Sequence, residues 1–197
     1  MGYADTVEKI QSGNWSEASA EERAKAVRDV VEVCSAAAAA VAIQPIPFLD
    51  FALLPPIQIA MVQCIARIHG HTLDKKSVVE IMGSFGAGLV TQGVIMSAAK
   101  FVPFVGWVAA IAMGYSLTYA VGEVSHHYFA TGRGLPNEEL SAMFDRIYKS
   151  KRAEKEAAHG GASSLKGKLT ELTKAFDAGL ITKEQFEAKK EELLRAF

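Results

Sequence analysis

The sequence predicts an all-α protein: a helical bundle with a glycine-rich apolar helical hairpin, then a small C-terminal helical hairpin on a flexible linker. Three observations point there. Apolar residues recur at helical spacing in segment after segment, and each segment is bounded by capping residues, glycine or proline. Small residues recur at every fourth position in one long apolar segment. Charge is crowded into the flanks: from Val33 to Gly122 it is confined to Asp50, Arg67, Asp74, Lys75, Lys76, Glu80 and Lys100.

The first helix is announced by Ser19 and Glu22, the spacing of a capping box. Ala24, Val27, Val30, Val31 and Cys34 follow as an apolar stripe, and the alanine run Ala36 to Ala40 carries the helix toward Pro45. Residues 1–23 read as a polar arm in which a shorter helix fits before Gly13. No signal peptide is expected, because a charged arm precedes the first apolar run. Pro45 and Pro47 then fix an extended turn, with Asp50 expected to cap the next helix and Pro55–Pro56 to sit near its start. In that helix Ile57, Met61, Cys64, Ile65 and Ile68 share a face, with Gln58 and Arg67 away from it, and Gly70 stops it.

Asp74 is expected to cap a third helix over roughly Lys75 to Lys100. Pro103 starts a fourth, running to about Phe129. Each apolar arm is close to the roughly 20 residues that cross a bilayer core. Gly132, Gly134 and Pro136 close this region, and Asn137 is expected to cap an amphipathic helix bearing Leu140, Met143, Phe144, Ile147 and Tyr148. Beyond the basic run Lys149 to Arg152, a Gly/Ser linker at 157–164 leads to a hairpin over 165–197, turned at Gly179 and capped by Thr182 with Gln185. The central domain is thus 24–156, with its apolar hairpin at about 81–129.

The composition excludes several functions. Half of the 197 residues are apolar, which rules out a disordered chain, and 21 basic against 22 acidic residues leave no basic excess for nucleic acid. Two cysteines, Cys34 and Cys64, form neither a disulfide scaffold nor a zinc site. His69 with His71, and His126 with His127, lack i,i+4 spacing, so no metal is expected. Asp50 reads as a cap before it reads as a functional acid. Asn14–Trp15–Ser16 matches a glycosylation sequon without secretory context. The stretch Gly161 to Leu169 has five residues between its glycines and a leucine after Lys168, so it is not a phosphate loop. No nucleophile–base pair is apparent, and neither enzyme activity nor a cofactor is expected.

The fourth-helix series Gly106, Ala110, Gly114, Thr118, Gly122 is the strongest physical signal. Small residues so spaced let a neighbouring backbone approach closely, as in membrane helix pairs. The third helix offers Gly83, Ala87 and Thr91 on one face. Tight packing in a water-soluble core is the competing reading. Gln92 lies mid-span, and an amide in lipid needs a partner. An inserted hairpin would leave Lys75, Lys76, Arg133 and the basic run on one side, which excess positive charge places in the cytoplasm.

Two stretches resemble known families. Ile46-Pro47-Phe48-Leu49-Asp50, then Ile57-Gln58-Ile59-Ala60-Met61 and Ile65-Ala66-Arg67-Ile68-His69-Gly70, resemble the bacterial YcjF-like, GTPase-associated domain of unknown function over about residues 24 to 130. His69 departs from that family's usual tyrosine. The resemblance implies inner-membrane association and a GTPase partner, which here would be a separate protein. Phe176 to Thr182 and Phe186 to Leu194 resemble the bacterial short C-terminal domain, SHOCT, which implies oligomerisation or protein contacts. Leu172, Phe176, Leu180, Ile181, Phe186 and Leu193 are its expected contact residues, because so short a hairpin cannot bury them well alone. The expected protein is therefore a non-enzymatic homo-oligomer on the cytoplasmic side of a bacterial inner membrane, in contact with lipid. The alternative is a cytoplasmic homo-oligomeric scaffold that buries the same hairpin between subunits.

Overall fold

Seven helices have described bounds, residues 169, 172–173 and 176–177 are helical as well, and no strand occurs among the described residues. The structure is a computed structural model that describes residues 2–42, 49–85, 106–132, 134–160, 169, 172–173, 176–177 and 181–195. The helices are α1 (Tyr3–Ser12), α2 (Ala20–Ala42), α3 (Leu49–Ile68), α4 (Lys75–Ser84), α5 (Gly106–Ala130), α6 (Asn137–Gly160) and α7 (Lys183–Arg195).

Three expected caps are present. Ser19 N–H donates to the Glu22 carboxylate at 2.8 Å while Glu22 N–H donates back to Ser19 Oγ at 3.2 Å, so orphan donors at the start of α2 are satisfied reciprocally. Asp74 Oδ1 accepts from Ser77 N–H at 2.9 Å and opens α4. Thr182 and Gln185 repeat the reciprocal arrangement at α7. Gly70, with φ of +82°, ends α3 in the left-handed conformation that glycine adopts without steric cost.

Three boundaries differ from the expectation. Asp50 is the second residue of α3, not the residue that precedes it, and Pro55 and Pro56 lie inside this helix, where each lacks an N–H to donate. Asn137 is the first helical residue of α6: the Pro136 carbonyl already accepts from Leu140 N–H at 3.1 Å, so the cap lies one residue earlier. α4 ends at Ser84, because Phe85 N–H turns back to the Met82 carbonyl at 3.1 Å in a tighter closure than the α-helical one. The continuation to Lys100, and with it the expected hairpin bend, lies outside the described residues. Finally, the polar arm 1–23 carries the shorter helix and joins the bundle. α1 packs on α2 and α3, its Ile10 joins the main core, and Trp15 Nε1 donates to the Ile10 carbonyl at 2.9 Å.

The core is built around α2, α3 and α5. Val27, Val30, Val31 and Cys34 of α2 meet Met61, Val62, Cys64, Ile65 and Ile68 of α3 and Leu117, Val121 and Val124 of α5. Leu140, Phe144 and Tyr148 of α6 cover the far side of α5. Gly114 of α5 faces Ala38 and Ala42 of α2, and Gly122 faces Val31, so α2 and α5 run antiparallel. Gln58 reaches Thr118 and His69 reaches His126, so α3 and α5 run parallel.

Candidate functional sites

The small residues of α5 form a seam, and their neighbour is α2. A Cβ at Gly114 would lie 3.1 Å from the Ala38 carbonyl oxygen and 3.2 Å from Ala42 Cβ; one at Gly122 would lie 2.6 Å from Val31 Cγ2 and 3.2 Å from Met61 Sδ. Ala110 is buried in a second cluster with Ala38, Ala42, Leu54 and Met113. The alanine run of α2 is thus the surface on which α5 lies, because paired small side chains bring two helix axes close. The sequence suggested the third helix as partner for this face. Gly83, on α4, is exposed and meets nothing within 4 Å among the described residues. Ala87, Pro45 and Pro47 lie outside the described residues, and of Gly106 and Asp50 only the helical backbone is described.

Thr118 does more than stay small. Its hydroxyl accepts a hydrogen bond from Gln58 Nε2 at 3.3 Å, and both side chains are buried. Gln58, expected on the outer face of its helix, points inward because α5 lies on that side too.

Beside the seam, a polar face ties α5 to α2 on one side and to α6 on the other. The Tyr115 hydroxyl donates a short hydrogen bond to the Glu32 carboxylate of α2. Lys155 Nζ sits 3.8 Å from the centre of the Tyr115 ring, and Lys151 Nζ 4.4 Å from that of Tyr119. Burial first, then the Glu32 carboxylate, pushes the Tyr115 phenol well above its ordinary pKa, so it stays a donor. Between α1 and α2 an open groove of about 790 Å³ carries both signs of charge on its walls, from Lys9, Lys25, Asp29 and Glu32 around Trp15.

At the end of the bundle where α3 and α5 finish, histidines converge. His69 follows the last residue of α3, and its neighbours are locked by Gly70 N–H donating to the Arg67 carbonyl at 2.9 Å and His71 N–H to the Ala66 carbonyl at 2.9 Å. Nε2 of His69 then lies 2.9 Å from Nδ1 of His126, an N–H···N hydrogen bond between helices. Phe129 backs the pair, with ring centres 6.4 Å from His69 and 5.6 Å from His71. Burial, with His126, His71 and Arg23 adding positive potential, pushes His69 down to about 4. Burial and His127 lower His126 as well, against the opposing pull of Glu123. Spacing along the chain did not reveal this pair, because its members are far apart in sequence. Glu123 also stands three residues before His126, a Glu-x-x-His spacing the sequence reading passed over. Among the described residues, no three His, Cys, Asp or Glu groups converge as a metal site.

Cys34 and Cys64 are buried and unbonded to each other; burial raises their thiols to about 12 and about 11, so neither is a nucleophile at neutral pH. In the C-terminal part, Leu172, Ile181 and Leu193 form a separate small cluster with Leu169 and Phe186 against it. The Phe176 ring lies tilted against that of Phe186, centres 4.8 Å apart, yet Phe176 remains 36% exposed, and Leu194 is 51% exposed. Leu180 lies outside the described residues.

An all-α bundle with a small-residue seam between two of its helices is the class this architecture defines. The chain belongs to the family described as a domain of unknown function, DUF697, whose model matches residues 8–153, from within α1 through most of α6. It is similar to magnetosome membrane protein 22 of Magnetospirillum gryphiswaldense, 28% identical over a 149-residue alignment that covers 72% of this chain and 73% of that protein. No solved structure matches the chain. Among the described residues no helix is long and apolar enough to cross a membrane.

Proposed function

We propose that the protein is a non-catalytic, membrane-associated helical scaffold. In this reading the bundle presents the charge-poor stretch between α4 and α5 to lipid, and the C-terminal hairpin gathers further copies or partners. The observation that carries it is the relative named as a membrane protein, matched over most of both chains. The sequence agrees with it, since Lys100 is the one charged residue between Ile81 and Gly122. The YcjF-like resemblance adds a separate GTPase as the partner class and the cytoplasmic face of a bacterial inner membrane as the place. Lys75, Lys76, Arg133 and the run Lys149 to Arg152 supply the positive charge that orients such a protein. The exposed Phe176 and Leu194 support self-association through the SHOCT-like hairpin.

A second reading is a soluble homo-oligomeric scaffold. It is favoured by the seam, since Gly114 and Gly122 are already occupied by α2 of the same chain and need no lipid-embedded partner. Membrane fractionation with a carbonate wash separates the two. The first reading expects the protein in the pellet before the wash. A protein found entirely in the supernatant, and monodisperse by light scattering without detergent, overturns it; a discrete multimer there establishes the second.

A further inference from the structure

We propose that His69 and His126 form a binding site for a first-row divalent transition ion, held by Nε2 of His69 and Nδ1 of His126 with water completing its coordination. The proposal is independent of the membrane reading above.

The geometry is the first support. An ion about 2.05 Å from each of two nitrogens, with a right angle between the bonds, holds those nitrogens about 2.9 Å apart, whereas a tetrahedral angle needs about 3.3 Å. The observed separation is 2.9 Å, which matches neighbouring positions of a square-planar or octahedral ion. Copper(II) and nickel(II), which take such geometries and accept imidazole ligands, are therefore the ions to probe. The second support is how the nitrogens are held. The turn after α3 fixes the backbone at His69 and α5 fixes it at His126, so the two rings already meet before an ion arrives. The third is the field: both histidines lie at the C-terminal ends of their helices, where the carbonyl ends of the helix dipoles favour a cation. Glu123, one turn before His126, adds negative charge nearby.

Arg23 opposes it. Its Nη2, however, is turned to the carbonyls of Trp15 and Ser16, at 2.8 and 3.3 Å, which accept its hydrogen bonds. Binding needs no loss of a proton from the protein. The N–H now shared between the two rings moves to the other nitrogen of its own ring, leaving both facing nitrogens as lone-pair donors.

The test uses the untagged full-length protein, stripped with a chelator and titrated calorimetrically with copper(II) or nickel(II) chloride. One ion per chain is expected, with His69→Gln and His126→Gln each weakening binding at least about 100-fold, and His127→Gln leaving it unchanged. Because either glutamine variant can loosen the end of the bundle, the copper-loaded wild-type protein is also examined by electron paramagnetic resonance. Nitrogen coupling from two imidazoles supports the site. No uptake by the wild type, undiminished uptake by both glutamine variants, or coupling to fewer than two imidazoles overturns it.

Discussion

Gln58 and Thr118 share one buried hydrogen bond between α3 and α5, and their energetics follow from where they sit. Removing the Thr118 hydroxyl leaves a buried amide without its partner, which costs about 1–3 kcal/mol. Thr118→Val is therefore expected to lower stability by that amount in urea unfolding, while Gln58→Met combined with Thr118→Val recovers most of the loss. Equal stability of single and double variants would show that the pair is not coupled. His69 governs a different response. Its pKa in the fold lies below that of the unfolded chain, so the unfolded state binds the proton first as the solution is acidified. Its contribution to stability is fully present above about pH 6.5 and is lost as pH falls toward about 4. Denaturation midpoints of chelator-treated protein should drop across that window, and less steeply in His69→Gln. Parallel slopes for the two proteins would sink this assignment. The burial of Gln58 was not legible in the sequence: helical periodicity assumes one covered face, and α3 is covered by both α2 and α5.

The interface between α2 and α5 depends on missing side chains. Alanine is the better helix former by about 1 kcal/mol, yet at Gly122 its methyl group would fall 2.6 Å from a fully buried, stiff valine. Overpacking of this kind costs roughly 1–3 kcal/mol, so Gly122→Ala is expected to lower the melting temperature despite the gain in propensity. Gly83→Ala, on the exposed face of α4, should instead raise it, since a methyl group there meets no described neighbour. A melting temperature lowered by Gly83→Ala would mean that this face is covered after all. The contrast explains why the glycine pattern was half legible. Spacing of four says that a helix approaches, but small residues carry no address, and only the three-dimensional arrangement names the alanine run of α2 as the partner. Capping residues were read well at Ser19, Asp74 and Thr182 because their chemistry is local.

At the scale of the whole molecule, the described residues of the bundle and of the C-terminal part fall in separate cores: among them, no residue of the cluster around Leu172, Ile181 and Leu193 belongs to the cluster centred on α2, α3 and α5. Truncation after Gly160 is thus expected to leave the melting temperature of the bundle unchanged and, in the scaffold reading proposed above, to abolish self-association, readable by calorimetry and light scattering. A bundle that melts markedly earlier after truncation would show that the two units share an interface. The all-α class was legible because helical period, caps and breakers agree along the chain. The histidine pair was not, because its members, 57 residues apart, meet only once α3 and α5 lie parallel.

The antiparallel pairing of α2 with α5 also governs the order of events at synthesis. The hydrogen bond between Glu32 and Tyr115 spans 83 residues, so the apolar stripe and alanine run of α2 are made long before the helix that covers them. Contacts so distant in sequence slow folding by the loop that must close, and they leave early chains with uncovered apolar surface. A nascent chain that has not yet released α5 is consequently the form of this protein most in need of a chaperone, or of a nearby surface on which to rest.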